Sequence, residues 1–227
     1  MSNLSIIIPS LNEEDSLKFL LEELKDYKEI IGEIIVVDGN STDYTIKVAQ
    51  QYNCKIIEQN KKNIGFGSAI DLGVKNSIYE YSLILDADGS KNPKYIKDLL
   101  YQIKLQNVEF IFAERYGKNA NSLDDTLLTY IGNRIFTILG KILFNLRIND
   151  ILHTFFICKN ESYKKIDFKI KGFGFCVELP IKVHQNKIKY STIPTIERKR
   201  IAGNIKVRSF IDGYKILFSM IKLFTNS

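Results

Sequence analysis

The stretch LILDADGS, residues 83 to 90, closes an apolar run with two carboxylates one residue apart. Side chains alternate along a strand, so Asp86 and Asp88 would share one side if the extended conformation persisted past Leu85. Two like charges repel, and they are tolerated together where a divalent cation holding phosphate oxygens sits between them and a ligand. The pair is therefore a candidate Mg²⁺ or Mn²⁺ site that docks a diphosphate. Gly89 would allow a tight turn and Ser90 would offer a further oxygen ligand. Asp-x-Asp on its own also suits a solvated turn, and it is the place at a strand end that gives this one weight.

Other residues compete for chemical roles. Asp38 follows Val36-Val37 and precedes Ser41-Thr42-Asp43, so a second strand end carries a carboxylate able to accept from the N–H groups of a nucleobase. Helix capping accounts for Ser41 or Asp43. The run Gly65-Phe66-Gly67-Ser68-Ala69-Ile70 lacks the third glycine of a dinucleotide fingerprint, which argues against NAD or FAD. Ala69 and Gly73, four apart, more simply let a helix approach a sheet. Glu178 is a candidate base for a hydroxyl acceptor, against a simpler place at a helix N-terminus. His153 and His184 have no companion at metal-ligand spacing and read as structural or surface residues. Phe173 and Phe175 suit core packing or contact with a lipid chain.

The elements that must position these groups alternate. Strands are expected at 4–8, 33–37, 55–58, 83–85 and 110–113, with helices between them, the pattern of a mostly parallel sheet flanked by helices. Leu17, Leu20, Leu21 and Leu24 recur at helical spacing after Asn12, a candidate N-cap, and Pro93 suits the first turn of a later helix. In open α/β sheets ligands bind beyond the carboxyl ends of the strands. That rule selects Pro9 to Glu13, Asp38 to Asp43, Asn60 to Gly67 and Asp86 to Ser90.

Charge divides the chain. Residues 1–113 hold 12 Lys and Arg against 17 Asp and Glu, a balance of −5, whereas residues 114–227 hold 20 against 9, a balance of +11. All six arginines lie in the second half, where guanidinium groups suit phosphate recognition or a solvated basic surface. The basic residues are not interleaved with aromatics as in an RNA-recognition motif, which argues against a nucleic-acid partner. Three scattered cysteines suggest neither a disulfide framework nor zinc. The N-terminal MSNLSIIIPS lacks the apolar stretch of about 7–15 residues of a signal peptide, so a cytoplasmic protein is expected. Residues 127–147 and 210–224 read as amphipathic helices whose polar residues forbid a simple membrane span. They pack on the sheet or lie in a membrane interface, peripherally on the cytoplasmic face.

Taken together, SIIIPSLNEE, EIIVVDGNSTD, NIGFGSAIDLG and LILDADGSKNP resemble, in order and spacing, the nucleotide-sugar domain of family 2 glycosyltransferases. ERYG at 114–117, Asp150 before an aromatic pair, and Arg200-x-x-Gly203-x-x-Lys206 resemble the polyprenyl-phosphate branch, which includes dolichol-phosphate mannose synthase. The resemblance implies a GT-A fold in one domain, with a nucleotide-sugar half at 1–115 and an acceptor half at 116–227. It implies that Pro9, Glu13, Val36 and Asp38 hold the nucleoside, that Asp86, Ala87 and Asp88 hold the diphosphate and Mg²⁺ or Mn²⁺, and that Arg115, Arg200 and Lys206 bind phosphates. The implied reaction is inverting transfer from GDP-mannose or a UDP-hexose to a polyprenyl or dolichyl phosphate. Two alternatives stay open: transfer to a glycan or small-molecule hydroxyl, and a non-catalytic nucleotide-sugar-binding protein. Ser90 stands where a glutamine usually completes the metal site, Leu11 replaces an aromatic residue, Asp124-Asp125-Thr126 replaces a basic residue, and His153-Thr154 replaces a Ser-Gly pair.

Overall fold

Ile6, Ile7 and Ile8 are all fully buried, yet they belong to different cores. Ile7 packs with Ile35, Val37, Ile84 and Phe156 on one face of a sheet, while Ile6 and Ile8 pack with Val36, Leu83, Leu85 and Ile111 on the other. Successive strand side chains point to opposite faces, so an unbroken β-branched run means that both faces are covered. The computed structural model describes residues 3–202 and 209–225 and contains nine strands: β1 (Leu4–Ser10), β2 (Ile31–Asp38), β3 (Lys55–Glu58), β4 (Tyr81–Ile84), β5 (Phe110–Glu114), β6 (Asn121–Ser122), β7 (Phe156–Lys159), β8 (Tyr190–Pro194) and β9 (Ile196–Glu197). Seven of them form one sheet in the order β3-β2-β1-β4-β7-β5-β8, and β6 pairs with β9 separately.

Helices α1 (Glu14–Leu24), α2 (Thr45–Gln51) and α4 (Ile96–Leu105) cover one face. The other is covered by α3 (Phe66–Lys75), α5 (Leu127–Phe144), α6 (Asn160–Lys164), α7 (Phe175–Gln185) and α8 (Ser209–Thr225). Gly73 brings α3 onto the sheet, since a Cβ there would lie 2.3 Å from Ile7 Cγ2. Pro93 opens a 3₁₀ turn just before α4.

All the sheet pairings are parallel except those of β7, which runs antiparallel to both β4 and β5. The expected strands omitted β7 and β8, because the apolar run at 155–158 has no alternation to tell a buried strand from a helix. The reversal has a functional result. The residues entering β7 meet the residues leaving β4 and β5 at the same sheet edge.

Asn12 does not cap α1. It adopts a left-handed φ of 51°, and its Oδ1 accepts from the Thr42 N–H at 2.7 Å, tying the loops after β1 and β2 together.

Candidate active site

A cavity of about 600 Å³ opens at that edge, a volume suited to a small-molecule ligand. The end of β1 contributes Pro9 and the loop after it Leu11 and Glu13, and the loop after β4 contributes Asp86, Ala87, Asp88 and Ser90. Arg115 follows β5, Thr126, Thr129 and Asn133 come from the start of α5, and His153 and Thr154 precede β7. Glu197, Arg200 and Ile216 close it from the C-terminal part.

The acidic loop is not an extension of the strand. β4 ends at Ile84, and the Gly89 N–H donates to the Asp86 carbonyl at 3.2 Å. Gly89 turns with φ +75°, where a Cβ would also strike Ile201. Both carboxylates reach the cavity through this turn rather than through strand alternation. The segment after β9 straps it down: the Arg198 N–H donates to the Ser90 carbonyl at 3.1 Å and the Ile201 N–H to the Asp88 carbonyl at 2.9 Å.

Each acid is held on one oxygen. Asp86 Oδ1 accepts from Lys91 Nζ at 2.8 Å, and Asp88 Oδ1 accepts from the Ser90 N–H at 2.9 Å. Arg200 approaches Asp88 Oδ2 at 3.7 Å while pairing with Asp124 at 2.7 Å. Burial raises the Asp86 carboxyl above its ordinary range, the Lys91 charge opposes that rise, and the Asp88 charge adds to it. These hard oxygen donors fit Mg²⁺ or Mn²⁺, which is commonly held by one or two carboxylates and completed by substrate phosphates. Among the described residues no group of three or more His, Cys, Asp or Glu gathers as a metal cage, which suits that mode rather than an all-protein site.

Arg115 lies mostly buried on the cavity wall. Its Nε and Nη2 donate to Asp150 at 2.7 and 3.1 Å, and Nη1 reaches Glu197 at 3.3 Å. Although burial alone would raise Asp150, the Arg115 charge holds its carboxyl below the usual range. Glu197 moves the other way, because its burial outweighs Arg115. The two arginines that the resemblance assigns to phosphates, Arg115 and Arg200, are thus ion-paired as described, and Arg198 pairs with Glu23.

Several expected residues lie elsewhere. Val36 is buried in the core and does not line the cavity. Asp38 is fully buried, and its carboxylate accepts from the Ser41 N–H at 2.9 Å and from the Ser41 hydroxyl. Lys206 lies outside the described residues. Glu178 accepts from the Lys169 and Ile170 N–H groups, both at 2.8 Å, so it organises the entry to α7, away from the cavity. Phe175 is core, while Phe173 lines the cavity and stacks on Phe66 at 5.4 Å.

One residue was read as structural or surface, and two escaped the sequence reading. His153 is on the cavity wall, with Nδ1 at 3.0 Å from the Ala113 carbonyl, and burial followed by the Arg115 charge lowers its pKa to about 3. Glu197 stands among basic residues that masked it. Lys91, one residue beyond Ser90, is a cation inside an acidic motif, and that juxtaposition was the available signal.

The fold has solved counterparts. Glucosyl-3-phosphoglycerate synthase from Mycobacterium tuberculosis matches with a TM-score of 0.75 at 16% identity, covering 99% of this chain and 80% of that one. Another structure of that synthase, with Mn²⁺, UDP and glucosyl-3-phosphoglycerate, matches with a TM-score of 0.75 at 15% identity over the same shares. The architecture is that of the GT-A glycosyltransferases. The profile described as "Glycosyl transferase family 2" matches residues 5–167, and the chain belongs to that family. It is 30% identical to the uncharacterized protein MJ0544 of Methanocaldococcus jannaschii, over 76% of this chain and 77% of that protein. It is 25% identical to dolichol-phosphate mannosyltransferase of Pyrococcus furiosus (96% and 63%) and 24% identical to glycosyltransferase AglJ of Haloferax volcanii (88% and 64%). The chain thus spans less than two thirds of the latter two proteins.

Proposed function

We propose that this glycosyltransferase moves a hexose from GDP-mannose or a UDP-hexose to a polyprenyl phosphate, with inversion, at a membrane surface. The observation that carries the reading is that the two helices walling the cavity beside the acidic loop leave apolar faces uncovered. Leu128, Ile131, Ile135, Ile138 and Ile142 recur along one side of α5 and are exposed, and Tyr214, Phe218 and Ile221 do the same on α8. The helices pack together, with Phe144 and Phe224 edge to face at 5.9 Å. Among the described residues α5 is the one helix long and apolar enough to cross a bilayer, yet its Thr137, Gly140 and Phe144 are buried against the protein. Such a helix suits the plane of a membrane interface. Thr126, Thr129 and Asn133 at its start reach the cavity, so a lipid acceptor on that surface would find its phosphate beside the site.

In this reading Pro9 and Glu13 flank the nucleoside, with Val36 and Asp38 supporting their loops from within. Asp86, Ala87 and Asp88, with Ser90 behind them, hold the diphosphate and its Mg²⁺ or Mn²⁺. That cation supplies charge stabilisation to the departing diphosphate. Arg115, Arg200 and Lys206 attend the phosphates, so residues 1–115 serve the donor and 116–227 the acceptor within one domain. A phosphate oxygen of the acceptor attacks the anomeric carbon, the bond to the nucleoside diphosphate breaks, and the electron pair leaves with the diphosphate. A lipid phosphate is already ionised and needs no base. This agrees with Glu178 lying away from the cavity and with a His153 too weakly basic to take a proton from a hydroxyl. Location on the cytoplasmic face belongs to the same proposal.

The test is incubation with radiolabelled GDP-mannose, UDP-glucose or UDP-N-acetylglucosamine and polyprenyl phosphate in vesicles. Labelled product in the organic phase is expected from one donor. Label transferred only to soluble hydroxyl acceptors, or to none, would overturn the lipid reading.

A further inference from the structure

Lys91 is 1% exposed, and its ammonium group has three protons for three acceptors. These are Asp86 Oδ1 at 2.8 Å, the Thr154 carbonyl at 2.9 Å and Thr154 Oγ1 at 3.1 Å. A buried lysine persists only when paired and fully hydrogen-bonded, and this one is both. Lys91 does not itself line the cavity, whereas Asp86 and Thr154 do. It therefore joins the acidic loop after β4 to the segment entering β7, from beneath.

The charge balance at the acidic loop follows from this contact. Asp86 is offset by Lys91, and Asp88 faces Arg200 at 3.7 Å. Lys91 thus cancels the charge of Asp86 before any ligand arrives, while Arg200 divides its own between Asp88 and Asp124. A divalent cation entering alone would draw on the acids that remain and little on Asp86, so part of the Coulomb gain that normally offsets stripping its water would be missing. A nucleoside diphosphate brings the missing charge.

We propose that Lys91 is a positioning residue that masks Asp86, so that the site binds Mg²⁺ or Mn²⁺ weakly alone and tightly together with a nucleoside diphosphate. The inference rests on the nucleotide-sugar reading above. Lys91 would also keep the Asp86 carboxylate in one orientation, leaving its other oxygen for the incoming cation.

The experiment is Mn²⁺ titration followed by electron paramagnetic resonance, with Mn²⁺ alone, with UDP and with GDP, on the wild type, on Lys91→Met and on Lys91→Met with Asp86→Asn. The wild type should bind Mn²⁺ weakly alone and much more tightly with one nucleotide. Lys91→Met, with Asp86 unmasked, should bind Mn²⁺ alone at least about tenfold more tightly. The double variant buries no uncompensated charge, so it should fold even where the single variant does not, and its affinity for Mn²⁺ alone should match the wild type within about threefold. Nucleotide-dependent Mn²⁺ binding with unchanged affinity for Mn²⁺ alone in Lys91→Met would overturn the role of Lys91 and spare the wider reading. So would a double variant more than about tenfold weaker than the wild type towards Mn²⁺ alone, because Asp86 would then contribute charge in spite of Lys91. A wild type that takes up no Mn²⁺ with either nucleotide would overturn both.

Discussion

The Arg115 guanidinium meets the Asp150 carboxylate through two hydrogen bonds, 2.7 Å from Nε and 3.1 Å from Nη2, with Asp150 fully buried and Arg115 nearly so. Removing one partner of such a pair leaves an uncompensated charge in the interior. Arg115→Met strands both Asp150 and Glu197 and should therefore cost about 3–5 kcal/mol of stability, while replacing the three together, Arg115→Met with Asp150→Leu and Glu197→Gln, should cost much less. Urea unfolding followed by circular dichroism measures both. Equal losses in the two variants would mean that packing, not charge, sets the cost.

The acidic loop gives a sharper separation of fold from activity. Asp88 is tethered by the Ser90 N–H, which an asparagine side-chain oxygen would still accept. Asp88→Asn should keep its melting temperature within a few degrees and lose roughly 10²–10³-fold in transfer rate, the scale of losing one charge-stabilising group. An active Asp88→Asn would place the diphosphate elsewhere.

Gly73 tests how tightly α3 sits on the sheet. Alanine is the better helix former by about 1 kcal/mol, but its Cβ would lie 2.3 Å from Ile7 Cγ2 and 3.1 Å from Val37 Cγ2. Overpacking a buried contact costs about 1–3 kcal/mol, so Gly73→Ala should lower the urea midpoint. A raised midpoint would show that α3 can slide outward at no cost.

The reach of the sequence can be judged from these same residues. Gly73 was readable as a close approach because its partner strands, β1 and β2, are unbroken β-branched runs with both faces buried. Asp86 and Asp88 were readable as a pair and Gly89 as a turn, but a shared side by alternation required a strand persisting past Leu85, and the turn delivers both acids instead. His153, Thr154 and Asp150 were the hard case. They join the site because β7 runs backwards between β4 and β5, and antiparallel insertion is a long-range pairing that no local periodicity encodes. Arginine counts pointed to phosphate recognition or a solvated basic surface, and the carboxylates from distant segments that Arg115, Arg198 and Arg200 each meet are visible only after folding.

His153 carries a signed pH dependence. Its pKa falls from an ordinary 6.5 to about 3, so the unfolded chain takes up a proton first as the pH drops. The stability tied to the neutral ring is fully present above about pH 6.5 and is lost as the pH falls towards 3, at up to about 1.4 kcal/mol per unit. His153→Asn keeps a donor for the Ala113 carbonyl and removes the titration. Its unfolding free energy should fall less steeply between pH 6.5 and 5, by a slope equivalent to roughly one proton. Parallel slopes for the two proteins would mean that His153 titrates normally in the folded state.

The open faces of α5 and α8 make the last prediction, and here two effects must be weighed. Ile135 and Ile142 lie one heptad apart on α5, 53% and 72% exposed, so changing them to glutamate disturbs little of the core and should leave unfolding within about 0.5 kcal/mol. If the same side chains enter the acyl boundary of a membrane, each loses roughly 1.5–3 kcal/mol of burial, at least about tenfold in partitioning. The charge adds a further penalty there and none in water. The double variant Ile135→Glu with Ile142→Glu should therefore fail to sediment with polyprenyl-phosphate vesicles, while Mn²⁺ and nucleotide binding stay as in the wild type. Turnover should drop with long-chain acceptor in vesicles and persist with a short, water-soluble polyprenyl phosphate. Should vesicle binding and long-chain turnover both survive, the lipid would have to reach Arg115 and Asp88 by a route other than the α5 surface.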